Sequence, residues 1–171
     1  MTELTPTNKE IIVHTNDQIM VKTDRFGIIE YVNFKYADIS EYNIEEIIGK
    51  DISFLSHPDM PSIVFDSIWE SLFQKKRAYA ILKNISKTGA YYWLQVNFDF
   101  KVNENTREIE NIYAYYSKAS KAATNELDVL YKKIKNIEIH AGINVAENYL
   151  KGFLDEKSTD YNSFIENYIY G

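Results

Sequence analysis

Tyr91-Tyr92-Trp93-Leu94-Gln95-Val96-Asn97-Phe98-Asp99-Phe100-Lys101-Val102 is the stretch that decides the fold class. Tyr92, Leu94, Val96, Phe98, Phe100 and Val102 alternate with Tyr91, Trp93, Gln95, Asn97, Asp99 and Lys101. Side chains of a strand point alternately to its two faces, so a period of two sustained this long predicts a long antiparallel strand. The apolar even-numbered face is expected to line an interior. The odd-numbered face, with Tyr91, Trp93 and Gln95, is then expected to point outward. Aromatic groups there form either a docking surface for a partner or the seat of other elements of the same chain.

Working outward, Ser86-Lys87-Thr88-Gly89 reads as a hairpin turn that joins this strand to another over Tyr79 to Ile85. A polar loop, Asn103 to Glu108, leads to a last strand from Ile109 to Ser117. Near the N-terminus, Ile19-Met20-Val21 within Asp17 to Thr23, the turn Asp24-Arg25-Phe26-Gly27, and the β-branched Ile28 to Val32 predict a hairpin. From Asn33 to Gly49 the spacing of Tyr36, Ile39, Ile44, Ile47 and Ile48 predicts short helices. Ser40 is expected to cap the second of them and Gly49 to end it.

His57-Pro58-Asp59-Met60-Pro61 cannot lie inside a helix or strand, and Pro61 suits the first turn of the helix that follows. Ile63, Val64, Ile68, Trp69, Leu72 and Phe73 form its apolar stripe. Beyond Lys118 the spacing turns helical: Leu127, Leu130, Tyr131, Ile134 and Ile137, then Val145, Tyr149, Leu150, Phe153 and Leu154 after Gly142, then Phe164, Ile165 and Ile169. The order is β-β-α-α-α-β-β-β followed by two or three helices. That is an α+β chain: a five-stranded antiparallel sheet with short helices on one face, plus C-terminal helices. Its divisions are a polar N-terminal arm (1–16), a sheet domain (17–118) and a helical extension (119–171).

The formal net charge of −6 disfavours nucleic acid as a partner. The absence of cysteine excludes disulfides, cysteine-based metal clusters and a cysteinyl adduct. No stretch is long and apolar enough for a membrane helix, and the polar start lacks a signal core, so a cytoplasmic protein is expected. A membrane receptor, if one is involved, is then a separate protein. Catalysis is not expected. No nucleophile sits beside a base, and Glu45-Glu46 has a helix-dipole explanation.

The segments Tyr31-Val32-Asn33, Ser40-Glu41-Tyr42, Glu45-Glu46-Ile47-Ile48-Gly49-Lys50, His57-Pro58-Asp59-Met60-Pro61 with Phe65 and Trp69, Lys83-Asn84, Lys87-Thr88-Gly89 and Tyr91-Tyr92-Trp93 together resemble the PAS family. Within it the chain is similar to the aerotaxis-receptor branch and its stand-alone relatives, over roughly residues 17 to 118. The resemblance implies a sensor that binds FAD without a covalent link and relays redox or energy state to a chemotaxis-type partner, with a homodimer as another possible assembly. It implies Asn33, His57, Asp59, Trp69 and Asn84 at or near the flavin, with Tyr79 and Tyr116 as further aromatic neighbours.

Two departures keep a cofactor-free interaction module beside that reading. Ser56 stands where the branch has Arg, and Tyr115-Tyr116-Ser117-Lys118 occupies the last strand where it has another. Arginine's planar fork is the usual pyrophosphate partner. Haem is the weaker alternative, since the helix after Pro61 offers no histidine. Structural readings also stand for His57, packed under its loop, for Asp59, capping the next helix, and for Trp69, as core.

Overall fold

The computed structural model describes residues 4–171. The strands are β1 (Ile19–Asp24), β2 (Ile29–Val32), β3 (Ala78–Ile85), β4 (Tyr91–Val102) and β5 (Ile109–Lys118). They form one antiparallel sheet in the order β2-β1-β5-β4-β3. The helices are α1 (Phe34–Ser40), α2 (Ile44–Ile47), α3 (Ser62–Phe73), α4 (Lys121–Ala141), α5 (Ile143–Glu156) and α6 (Tyr161–Tyr170). The strand and helix order is the one the periodicities predict.

The alternation of β4 has the consequence expected of it. Tyr92, Leu94, Val96 and Phe98 are buried on the inner face, beneath α1 to α3. The opposite face is covered as well. Trp93 is only 8% exposed and stacks on Tyr131 of α4, with ring centroids 6.3 Å apart. Tyr79 meets Tyr170 of α6 edge-on at 5.9 Å. All eight residues of β3 are therefore buried. The outward surface of Trp93 is thus taken by the chain's own C-terminal helix rather than left open. Tyr91 and Gln95 beside it stay half-buried, and Gln95 donates to the Ser117 hydroxyl at 3.1 Å.

Strand β3 lies at the sheet edge, and its outward backbone groups find partners outside the sheet. Asn162 of α6 accepts from the Tyr79 N–H, and the Tyr131 hydroxyl donates to the Ile81 carbonyl. The Lys83 carbonyl accepts from the His57 N–H, and the Leu55 carbonyl accepts from the Ile85 N–H. A free edge would offer a pairing template to other chains, and these contacts remove it.

Three local expectations are corrected. Ser40 does not cap the second helix. It is buried at the end of α1, bonded to the Ala37 carbonyl, because the chain turns left-handed at Glu41 (φ 62°). Asn43 instead begins α2, its N–H bonded to the Glu46 carboxylate at 2.9 Å. Phe73 leaves the α3 stripe and is 74% exposed. Asp59 does not cap α3. The Glu138 carboxylate of α4 does so, accepting from the N–H groups of Ser62 and Ile63, each at 3.1 Å, and from the Ser62 hydroxyl at 2.9 Å. The N-terminal arm also docks. Strand β4 begins beyond the end of β5, and the arm fills the vacant edge, exchanging backbone bonds between Lys9, Ile11 and Tyr91 and burying Val13.

Candidate functional site

The inner face of the sheet and α3 enclose a small internal space. Thr23, Ile68, Trp69, Leu72, Phe98 and Tyr116 line an internal cavity of about 20 Å³. Tyr36, Tyr92 and Tyr116 fill much of the remainder, with the Tyr36 and Tyr116 rings 6.1 Å apart. Burial raises the hydroxyl pKa of all three above the ordinary tyrosine value, so they are neutral donors and acceptors. Tyr92 is the unusual one. Its hydroxyl is buried and has no hydrogen-bond partner. Asn84, opposite it on β3, is near enough to favour its ionised form, yet no hydrogen bond joins them.

Trp69 closes this space. Gly27, in the turn between β1 and β2, has φ +87°, and a Cβ there would lie 2.8 Å from the Trp69 ring. The glycine allows both the left-handed turn and the close approach of the indole. On the far side of Trp69 lies an open groove of about 740 Å³, walled by Phe26, Phe73 and Ile109 among others. Trp69 and Leu72 border both spaces.

The residues expected at a flavin divide between the two faces. Trp69 and Tyr116 meet at the cavity, and Asn84 shares their side of the sheet. Asn33 serves as the cap of α1. Its Oδ1 accepts from the N–H groups of Tyr36 and Met20, each at 3.2 Å, and its amide donates to the Gln18 carbonyl at 2.9 Å.

His57, Asp59 and Tyr79 lie on the outer side, away from the cavity. The physical reason is the pleat. Lys83 and Tyr79 share the outward face of β3, opposite to Asn84, and the 57–60 loop folds over that face. There the Lys83 ammonium bonds Asp59 at 2.8 Å and Asp128 of α4 at 3.0 Å, and it lies 5.0 Å from the Tyr91 ring centre and 5.8 Å from that of Trp93. Burial opposes its charge, but the two carboxylates outweigh burial and hold its pKa above the usual value. Burial and the Lys83 charge push His57 below the usual imidazole value. These groups form an electrostatic clasp between the loop, the sheet and α4.

Two residues have roles that the sequence does not show. Glu138 looks like any acid on a polar helix face, and only the tertiary approach of α3 shows its role. Burial raises its pKa, but the N–H groups of Ser62 and Ile63 hold it below the usual value. Tyr92 is legible as an inward residue from the β4 alternation, but its lack of a partner is not.

A flavin would need both polar partners and space. The donor set fits: Asn84 and the unpaired Tyr92 hydroxyl offer polar contacts on an aromatic floor. The tricyclic ring needs more volume than the cavity of about 20 Å³ has, so a flavin would be admitted only with Trp69 displaced from between that cavity and the adjoining groove.

Comparison with known proteins agrees with this architecture. The family model described as PAS fold matches residues 8–110. The aerotaxis receptor of Escherichia coli (strain K12) is 29% identical over 139 residues, covering 77% of this chain and 26% of that protein. The bacterioopsin transcriptional activator of Halobacterium salinarum is 27% identical over 75 residues, covering 44% of this chain and 11% of that protein. The chain thus spans about a quarter of the first relative and about a tenth of the second. Among solved structures, the light-state LOV domain of the blue-light photoreceptor Aureochrome1 superposes with a TM-score of 0.58 at 21% identity, covering 66% of this chain and 89% of that one. The chain belongs to the PAS fold family.

Proposed function

We propose that this chain is a redox or energy sensor that holds FAD non-covalently on the inner face of its sheet and relays the flavin's state to a chemotaxis-type protein partner. The observation that carries the reading is the partnerless Tyr92 hydroxyl beside Asn84, under a tryptophan that separates a cavity from an open groove. The likeness to an aerotaxis receptor supports the same reading. When bound, the flavin would supply a redox-dependent proton on its ring. The Asn84 amide can donate or accept, so it can meet either state of a neighbouring ring atom. Trp69 excludes water from the site.

The relay runs through α3. Its Trp69 borders the cavity, and its first-turn N–H groups are held by Glu138 of α4. A shift of α3 changes the grip on α4, which also carries Tyr131 against Trp93 and Asp128 against Lys83. A ligand that favours one arrangement of α3 therefore biases α4. The output is conformational, and the chain acts as a relay rather than a catalyst. None of the described helices is long and apolar enough to cross a membrane. This fits work in the cytoplasm beside a separate receptor, with the solvent-facing sides of α4 and α5 available to that receptor or to a second copy.

The cavity volume of about 20 Å³ favours a second reading, a cofactor-free interaction module whose tyrosines take the place of a ligand. Absorbance of the purified protein separates the two. Flavin bands, present at once or after FAD is added, and a thermal midpoint that rises with FAD support the first reading. A colourless protein whose melt ignores FAD and FMN supports the second.

A further inference from the structure

The groove beyond Trp69 has features that the cavity behind it does not explain. Phe26 and Phe73 on its walls are 65% and 74% exposed, a high exposure for two large rings facing one depression. The Phe73 ring stacks on Trp69 with centroids 5.8 Å apart and planes 30° apart. The Arg25 guanidinium lies 4.7 Å from the centre of the Phe26 ring and pairs with Glu108 across the groove. Lys75, Arg107 and the carboxylate of Asp66 complete the rim, and neither Lys75 nor Arg107 has an acidic partner among the described residues. Both cations hold left-handed backbone conformations, with φ 55° and 61°, which side chains other than glycine adopt at an energetic cost.

We infer that this groove seats the adenosine diphosphate half of a flavin dinucleotide, with the adenine against Phe26 and Phe73 and the diphosphate facing Arg107 and Lys75. The inference rests on the flavin reading and extends it to the other half of the same ligand. Three observations carry it. The groove and the cavity lie on either side of the shared walls Trp69 and Leu72, so one ligand would span both only with the indole displaced. At about 740 Å³ it falls within the usual range of small-molecule sites. Its chemistry combines exposed aromatic faces with unpaired cations, which suits a planar base carrying phosphates.

Calorimetric titration of the full chain with FAD, FMN, riboflavin and ADP tests the assignment. FAD is expected to bind at least about tenfold more tightly than riboflavin or FMN, and ADP to bind by itself. Replacing both rim cations (Arg107→Gln with Lys75→Gln) should weaken FAD and ADP by about tenfold, the loss of roughly one charge-assisted contact, and leave riboflavin unchanged. Both side chains are solvent-facing, and an unchanged thermal melt will confirm that the variant folds. If riboflavin binds as tightly as FAD and ADP not at all, the groove assignment is overturned while the flavin reading stands. If ADP binds and no flavin binds better, the groove seat stands and the flavin reading fails. Should none of the four bind, both fall.

Discussion

A buried hydroxyl without a partner is destabilising unless a ligand uses it, and Tyr92 is in that position. Tyr92→Phe removes the unmet donor. It should leave the ligand-free protein unchanged or more stable by up to about 1 kcal/mol in a urea titration, while lowering flavin occupancy. A clear loss of stability would show that the hydroxyl has a partner in solution. His57 offers a second test, through pH. Its folded pKa lies below the ordinary imidazole value of 6.5, because burial and the charge of Lys83 disfavour the imidazolium, against the weaker pull of Asp59 and Asp128. The unfolded chain therefore takes up the proton first as pH falls. Stability from this group is complete above the unfolded value and is lost as pH drops through about 6.5. Glu138 and Asp128, whose folded values are depressed, contribute losses only from about 4.5 and 3.8 downward. His57→Gln should flatten the decline in stability between about pH 7 and 5.5. An unaltered slope would mean another group titrates there.

At the scale of elements, the arm, α4 and α6 all pack onto the sheet domain from outside it. Gly89 has φ +89°, and a Cβ there would sit 2.2 Å from the Thr5 carbonyl oxygen. Gly89→Ala should lower stability by about 1–3 kcal/mol and free the arm, seen as faster amide exchange at Thr7 and Ile11, whose N–H groups bond to Gly89 and Tyr91. Unchanged exchange would show that the arm is not held there. Trp93→Ala removes an aromatic buried under α4 and should cost about 3 kcal/mol or more by denaturant titration. A loss below 1 kcal/mol would mean that α4 does not cover Trp93 in solution. The strands, α3 and the C-terminal helices were legible because each repeats an apolar period along its own length. The arm's pairing was not, because it depends on where β5 stops relative to β4. The caps of α2 and α3 depend on Glu46 and on the distant Glu138, and of these only Glu46 lies close enough in sequence to be read.

For the whole molecule, the sheet domain and its cover form one connected body in which α3 and α4 share the Glu138 carboxylate. The candidate site was half legible. Trp69, Tyr116 and Asn84 were placed together by a family likeness and share the inner side of the fold. His57, Asp59 and Tyr79 came with them in that likeness but fold onto the outer side, because neighbouring residues of β3 face opposite ways. Of the outer set, Asp59 joins the clasp on α4 instead, and the proposed relay would link the two groups across the sheet. Amide hydrogen exchange of the FAD-loaded chain, oxidised and then chemically reduced, tests this relay most directly. The account predicts that protection changes together in the first turn of α3 and in the part of α4 from Asp128 to Ala141, and that Glu138→Gln uncouples the two. Changes confined to α3, or a response in α4 that Glu138→Gln leaves intact, would contradict it.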